Sequence, residues 1–309
     1  MTTEPAPTAQ WQRDLLARHQ LHASYLESAQ KWFAPLVGEL AALQNSADRP
    51  ILVALNGCQG SGKTTVSDYL CTALSEEHAL HAIALSLDDF YLTHAQRQAL
   101  AAAVHPLFAT RGVPGTHDMT LLRATLQQLL RMHSREPVVI PRFDKSTDDR
   151  RPVEKQESIL PPVHVVLVEG WCLGATPQPA KILSQPINDL ERDEDADGVW
   201  RQYSNDCLRV ELQPLYALVD QWIMLRAPSF DCVFDWRREQ EQKLVASTSA
   251  APGSRLMNDD ALRRFIQHYE RITRHCLEEL PGKVDHLFCL DEQRRVTRYR
   301  QLRQNGGTL

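Results

Sequence analysis

The residues most clearly suited to chemistry form a glycine-rich loop at positions 57–64, which fits the pattern G-x-x-x-x-G-K-[ST]. Glycines let the backbone curl and turn its N–H groups toward phosphate oxygens. Lys63 would neutralise charge on the β- and γ-phosphates of a nucleotide, and the Thr64 hydroxyl would bind Mg²⁺. We therefore predict an ATP and Mg²⁺ site whose nucleotide-binding residues are Gly57, Cys58, Gln59, Gly60, Ser61, Gly62, Lys63, Thr64 and Thr65.

Two apolar runs further along the chain end in acidic residues. The run 81–87 is followed by Asp88 and Asp89, and the run 163–168 by Glu169. Ligands of an open parallel sheet bind beyond the carboxyl ends of its strands, so these acids should face the same phosphates. Phosphoryl transfer needs one acid to deprotonate the attacking hydroxyl and another beside Mg²⁺. We predict Asp88 as the base, Glu169 as the magnesium acid, directly or through water, and Asp89 as support. The alternative is that they only cap the segments that follow.

The elements that would position these residues alternate along the chain. Apolar runs at 51–55, 81–87, 163–168, 221–225 and 284–290 predict five buried strands, with helical patterns between them. Continuous apolar strands separated by helices indicate an α/β fold, a parallel sheet with helices on both faces. Residues 1–49 are predicted to be an N-terminal helical appendage, broken near Pro35, and residues 50–300 the main domain. The acidic segment 185–198 is expected to be a surface loop, and the charged tail after Asp291 to be loose.

Composition limits the classes of partner. Hydrophobic residues make up 43% of the 309 residues, and the net charge is -5 with both signs mixed, so no basic nucleic-acid footprint is expected. Seven cysteines without a C-x-x-C pair favour reduced thiols in a cytoplasmic protein. No signal peptide or apolar run long enough to span a membrane is evident. We expect a small-molecule partner, no nucleic acid and no membrane; a monomer and a homodimer both remain open.

Several segments resemble a known family. Positions 88–91, Asp-Asp-Phe-Tyr, are similar to the D-x-F-Y segment of uridine kinases and phosphoribulokinases, whose first Asp is the catalytic base. The chain more closely resembles plant-type D-glycerate 3-kinases and the related kinase-like proteins of bacteria and yeast. The segments that carry this likeness are Q-G-S-G-K-T-T at 59–65, L-D-D-F-Y-L-T at 87–93, R-G-V-P-G-T-H-D at 111–118, P-R-F-D-K-S at 141–146, E-G-W at 169–171 and W-R-R-E-Q-E at 236–241.

This resemblance covers residues 50–290 and implies the P-loop NTPase fold with a five-stranded parallel sheet. Two features depart from the family pattern: Cys58 stands where a proline is expected, and the acidic segment 185–198 has no counterpart. The resemblance also implies a helical lid, which we place at about 230–258. Its Arg237 would meet the transferred phosphate, and a hinge would lie at 246–254. A plain surface helix is the alternative for this segment.

The acceptor implied by the resemblance is D-glycerate, which carries a carboxylate and two hydroxyls. Its site should offer cations and hydrogen-bonding groups, and Arg142 and Lys145 could hold the carboxylate. The full set of predicted acceptor-binding residues is Asp88, Tyr91, His117, Asp118, Arg142 and Lys145. A solvated loop without a specific role is the alternative for residues 141–146.

Together these patterns predict an ATP-dependent kinase that makes 3-phosphoglycerate from D-glycerate, with Asp88, Lys63 and Arg237 as catalytic residues. A kinase of the same superfamily acting on a nucleoside, pantothenate or a sugar phosphate is the first alternative. A non-catalytic ATP-binding regulator is the second. The joint presence of Lys63, Thr64, Asp88 and Glu169 argues against the regulator, because a site without catalysis has no need of all four.

Overall fold

A six-stranded sheet forms the centre of the protein. The structure is a computed structural model, and it describes residues 8–131, 135–247 and 259–302. The strand order is β10-β9-β8-β1-β7-β2, and β10 alone runs antiparallel to its neighbour. Two further pairs, β3 with β6 and β4 with β5, are separate two-stranded sheets. The strands are β1 Ile51–Gly57, β2 Ala82–Ser86, β3 Val138–Val139, β4 Phe143–Asp144, β5 Asp149–Arg150, β6 Ser158–Ile159, β7 Val165–Gly170, β8 Gln221–Arg226, β9 His286–Leu290 and β10 Val296–Gln301.

Helices cover both faces of this sheet, which confirms the predicted α/β fold with five parallel strands. The α-helices are α1 Gln10–His19, α2 Ser24–Trp32, α3 Ala34–Ala47, α4 Lys63–His78, α5 His94–Ala103, α6 Met119–Leu129, α7 Ala180–Leu183, α8 Asp189–Asp193, α9 Val199–Cys207, α10 Gln213–Tyr216, α11 Asp231–Ser247 and α12 Asp259–Glu279. Short 3₁₀ turns lie at Leu87–Phe90, Pro106–Ala109, Val153–Lys155 and Leu280–Gly282, and a π-helical turn at Leu208–Leu212.

Strand β1 shows why the sheet is central. All seven of its residues are buried, and the five from Ile51 to Leu55 alternate between two hydrophobic clusters because successive strand side chains point to opposite faces. Leu52 packs on the face that also holds α6 and α12, whereas Val53 packs on the face covered by α3, α4 and α11. A strand buried on both faces needs a continuous apolar run, which is the pattern found at its position in the sequence.

The N-terminal segment forms three helices. Leu15 of α1, Ala29 of α2 and Leu36 of α3 are buried in the same cluster as Val53 of β1. Pro35 lies in the first turn of α3, where its missing N–H is not needed, so a new helix starts near the predicted break. These helices therefore extend the core of the sheet domain on one face.

Two sequence-based expectations were wrong. The acidic segment 185–198 is not simply a surface loop, because Glu191 in α8 is fully buried and forms an ion pair with Arg271 of α12, Oε1 to Nε 2.7 Å. Asp195 is likewise buried and pairs with Arg201 at 2.9 Å. The tail after Asp291 is not loose throughout, because β10 pairs with β9 at the edge of the sheet.

Within the described ranges, no helix combines the length and the apolar character needed to cross a membrane.

Candidate active site

The phosphate-binding loop joins β1 to α4. Gly60 and Gly62 have φ angles of +79° and +91°, in the left-handed region that favours glycine. Gly60 is also closely packed, since a Cβ there would lie 2.5 Å from the Cβ of Trp236. Lys63 opens α4, and its Nζ donates to the carbonyl of Cys58 at 3.2 Å. The loop therefore lies at the positive end of α4, which favours phosphate binding.

The other side chains of the loop differ in their surroundings. Cys58 is buried, and burial raises the pKa of its thiol to about 12, so it is a neutral group packed in the core. The Gln59 amide and the Ser61 hydroxyl are buried and have no hydrogen-bond partner among the described residues, so a ligand could engage them. The hydroxyl of Thr65 lies 3.5 Å from Nδ1 of His19, which brings α1 to the edge of the loop.

A hydroxyl and a carboxylate meet at the start of α4. The Thr64 hydroxyl donates to Oε1 of Glu169 at 3.1 Å, and Nζ of Lys63 lies 4.0 Å from Oε2. Glu169 is only 5% exposed, and burial raises the pKa of its carboxyl although Lys63 opposes the shift. Mg²⁺ in kinase sites takes oxygen ligands from one or two protein groups and from the nucleotide phosphates. Thr64 and Glu169 fit that requirement.

Asp88 lies on the 3₁₀ turn directly after β2. Its Oδ1 accepts a hydrogen bond from the Tyr91 hydroxyl at 2.9 Å, and its Oδ2 pairs with Nζ of Lys145 at 2.8 Å. Burial works to raise the pKa of the Asp88 carboxyl, but the hydrogen-bonded charge of Lys145 and the charge of Lys63 lower it overall. Asp88 is therefore ionised at neutral pH, with both of its oxygens engaged.

A small pocket lies between Asp88 and the phosphate-binding loop. An acceptor bound there would lie between the base and the γ-phosphate. The pocket places three cationic side chains and one acid around an aromatic wall. Its lining residues are Gln59, Asp88, Tyr91, Arg111, Lys145, Trp171, Arg237, Phe265 and Tyr269.

Arg111 and Tyr269 are pocket residues that the sequence patterns do not single out. The Tyr269 hydroxyl donates to the Arg111 carbonyl at 3.2 Å, and its ring meets the Trp171 ring edge-on at 5.0 Å between centroids. Arg111 does lie in the R-G-V-P-G-T-H-D segment, so the resemblance contains a signal for it. Tyr269 lies within α12, where nothing in the helical pattern distinguishes a pocket-facing tyrosine from one in the core.

Arg142 does not line this pocket but lines another one with Asp89 and Glu169, and its contact with the acceptor carboxylate stays a prediction. Its guanidinium pairs with Asp89 at 2.8 Å and also with Glu157. Asp89 accepts a further hydrogen bond from the Phe143 amide at 3.1 Å. Arg142 and Asp89 thus fix the loop after β3 to the end of β2.

Asp118 and His117 are also absent from the pocket lining. Asp118 caps α6 through the Leu121 amide at 2.9 Å and pairs with Arg150 at 2.8 Å, so its carboxylate is fully used within the protein. His117 is 4% exposed, and its ring stacks on Tyr91 at 4.5 Å between centroids. Burial lowers the pKa of His117 to about 4. Both residues lie behind the Asp88 turn and support it from there.

Arg237 reaches the pocket from α11, with its guanidinium carbon 5.8 Å from the centre of the Phe265 ring. The neighbouring Trp236 is buried, and its indole N–H donates to the Glu292 carbonyl at 2.7 Å. The first half of the predicted lid is therefore packed against the phosphate-binding loop. The predicted hinge at 246–254 lies outside the described residues from position 248 onward.

Comparisons with known proteins find kinases among the relatives of this chain. The chain is 32% identical over 233 residues to the uncharacterized kinase mug58 of Schizosaccharomyces pombe. The aligned part covers 72% of this chain and 79% of that protein. It is 29% identical to the chloroplastic D-glycerate 3-kinase of Arabidopsis thaliana, over 71% of this chain and 46% of the plant protein. The chain belongs to the D-glycerate 3-kinase-like family of P-loop kinases. No protein-family model matches it.

The fold of this kinase has a counterpart among solved structures. D-glycerate 3-kinase from Cryptococcus neoformans superimposes with a TM-score of 0.73 at 24% identity, covering 89% of this chain and 99% of that one. At that identity the likeness concerns the fold alone. As a member of the family the protein is an ATP-dependent phosphotransferase. The pocket beside Asp88 is the place where its acceptor is to be sought.

Proposed function

We propose that this kinase transfers the γ-phosphate of ATP, in the presence of Mg²⁺, to a hydroxyl of D-glycerate and releases 3-phosphoglycerate. The observation that carries the proposal is the pocket beside Asp88, where Arg111, Lys145 and Arg237 surround a single acid. Such a pocket suits a small hydroxy acid, because guanidinium and ammonium groups bind carboxylates well. The plant relative named D-glycerate 3-kinase supports the same acceptor.

The proposed reaction assigns each pocket group a task. The acceptor O–H bond breaks and its proton passes to Oδ2 of Asp88, while the oxygen forms a bond to the γ-phosphorus. The bond from that phosphorus to the β,γ-bridging oxygen breaks, and its electron pair leaves with ADP. Lys63 and Arg237 stabilise negative charge on the phosphoryl group in transit. Thr64 and Glu169 would hold Mg²⁺, which supplies charge neutralisation on the phosphates when bound.

Aromatic groups and neutral donors complete the proposed site. Tyr91 orients Asp88 through the hydrogen bond to Oδ1. Trp171, Phe265 and Tyr269 enclose the acceptor and exclude water, which otherwise competes as a nucleophile. The small size of the pocket favours a small acceptor such as glycerate over one with a bulky base or ring.

The direct test incubates the pure protein with MgATP and D-glycerate, and measures ADP and phosphoglycerate. We expect acceptor-dependent ADP and a product whose NMR spectrum places the phosphate on C3. Asp88→Ala should lower kcat by about 10²–10⁴-fold, the contribution typical of a general base. ADP formation that is the same with and without D-glycerate would refute the acceptor. A preference for a nucleoside, pantothenate or a sugar phosphate in the same assay would replace it.

A further inference from the structure

Lys145 occupies the oxygen of Asp88 that the proposed reaction needs. Its Nζ lies 2.8 Å from Oδ2, and the Tyr91 hydroxyl holds Oδ1 at 2.9 Å. Each oxygen of the carboxylate thus has a protein donor. In this arrangement Asp88 is a weak base, because a cation lies directly on its second oxygen and opposes protonation. Asp88 becomes a stronger base when Lys145 moves away.

Lys145 is well placed to move. It lies between β4 and β5 at the tip of a hairpin, and its side chain is 55% exposed while that of Asp88 is 30% exposed. The ammonium of Lys145 therefore stays close to water while it exchanges one carboxylate partner for another. Lysine also has a long flexible stem and no fixed donor geometry, which lets it turn between neighbouring anions.

The charges around Asp88 indicate what draws Lys145 away. Lys145 faces it from the hairpin, Arg111 from the loop before α6, and Arg237 from α11. Arg111 also pairs with Asp148, a carboxylate that Arg97 shares. An acceptor that brings a carboxylate into the pocket offers Lys145 and Arg111 a new anionic partner. A neutral alcohol of the same shape does not.

We infer that Lys145 determines specificity by exchanging partners: it holds Asp88 in the empty site and turns to the carboxylate of the bound acceptor, beside Arg111, so that Oδ2 becomes free to take the hydroxyl proton. This inference rests on the proposed function and adds a condition to it. The negative charge of the acceptor is then required for turnover and not only for binding. Discrimination against neutral alcohols should accordingly be seen in kcat as well as in KM.

The test compares D-glycerate with D-glyceramide, its neutral isostere, in the wild type and in Lys145→Met. In the wild type we expect kcat for glycerate to exceed that for glyceramide by about 100-fold or more, the low end of what a general base contributes. In Lys145→Met no cation remains on Oδ2, so the ratio of the two kcat values should fall to about 1. The two changes, removal of Lys145 and removal of the acceptor charge, are then not additive, as expected for groups that act as a pair. Lys155→Met, at an exposed lysine outside the pocket, should keep the wild-type ratio. If Lys145→Met lowers both kcat values equally, Lys145 serves the transferred phosphate instead, and the exchange is overturned.

A second measurement follows Asp88 without turnover. Aspartate side chains labelled with ¹³C report the titration of Asp88, assigned by its absence in Asp88→Asn. Saturating D-glycerate should raise the pKa of Asp88 more in the wild type than in Lys145→Met, and glyceramide should raise it in neither. The bound carboxylate acts on Asp88 in both proteins, whereas only the wild type has the ammonium that glycerate draws away. Binding of glycerate by calorimetry with an unmoved Asp88 titration would overturn the exchange alone. Absence of both binding and turnover would overturn the glycerate function. A screen for the true acceptor would then test the exchange. A neutral acceptor would refute it, and an anionic acceptor whose amide analogue is not phosphorylated would support it.

Discussion

Glu169 and Asp89 are carboxylates at neighbouring strand ends that have different partners. Glu169 accepts from Thr64 and lies near Lys63, whereas Asp89 is taken up by Arg142. We predict that Glu169→Gln raises the Mg²⁺ concentration needed for half-maximal activity by about tenfold or more, because an amide keeps the shape but loses the charge that attracts the cation. The measurement is a Mg²⁺ titration of the initial rate at saturating ATP.

Asp89→Asn is the matched control for that prediction. It makes the same acid-to-amide change one strand away, where the partner is a guanidinium, and its Mg²⁺ requirement should stay at the wild-type value. Equal shifts in the two variants would mean that Glu169 acts only through the general charge of the site. An unchanged requirement in Glu169→Gln would remove it from the metal site altogether.

Residue types at strand ends are predictable from sequence, but the directions of loop side chains are not. Asp88 and Glu169 follow apolar strands of a parallel sheet, and the topology alone brings them to one rim. Arg142 and Arg111 both lie in polar loops that resemble the family. The choice between them depends on Asp89, Glu157 and Asp148, ion-pair partners that no local pattern specifies.

The element that matters most for the acceptor is the hairpin Phe143–Arg150, because it carries Lys145. Asp148 anchors it through ion pairs with Arg97, whose side chain is fully buried, and with Arg111. Asp148 has a φ of +56°, a left-handed conformation that Asp and Asn tolerate better than most residues. One residue therefore joins the hairpin to α5 and to the pocket arginine.

We predict that Asp148→Asn weakens acceptor binding and stability together. Asparagine keeps the backbone conformation, but Arg97 and Arg111 lose their shared charged partner. The free energy of unfolding should fall by about 1–3 kcal/mol, as expected when a buried polar group loses its partner. KM for D-glycerate should rise while KM for ATP stays unchanged, because the hairpin does not line the phosphate loop. Urea unfolding and steady-state kinetics measure the two effects.

Glu154→Gln is the control for the hairpin variant, since it removes an exposed carboxylate on a nearby turn. It should leave both stability and KM as in the wild type. A rise in KM for ATP equal to that for glycerate in Asp148→Asn would show that the hairpin supports the whole site rather than the acceptor side.

Elements with an apolar pattern were predictable, and those stabilised by distant polar partners were not. The five parallel strands are predictable because each contains an apolar run, fully buried in β1 and β7 and buried at alternate residues in β2. Strand β10 is largely exposed, with Arg298 and Arg300 along it, so its sequence resembles a solvated tail. Its pairing with β9 is what identifies it as a strand. Helix α8 is acidic, and its burial depends on Arg271, 80 positions further along the chain.

At the scale of the whole molecule, three buried histidines link stability to pH. Burial lowers the pKa of His117, His268 and His286 to about 4, from an ordinary value of 6.5. Between these limits the unfolded chain binds protons that the folded protein does not, so the free energy of unfolding rises with pH. The stability is fully present above 6.5 and is lost as pH falls toward 4, by up to about 1.4 kcal/mol per pH unit for each histidine.

We predict that His286→Gln makes this loss shallower between pH 6.5 and 4, whereas His78→Gln, at an exposed helix end, leaves it unchanged. His286 bonds to Tyr299 at 2.9 Å and to Gln221 at 3.0 Å, so glutamine can keep part of the hydrogen bonding while it removes the titrating group. Urea unfolding at several pH values measures the slope. Glu169, whose raised pKa acts with the opposite sign, contributes equally to all three proteins and cancels in the comparison. Parallel curves for the wild type and His286→Gln would mean that His286 carries its proton in the folded protein, and that the acid loss of stability arises elsewhere.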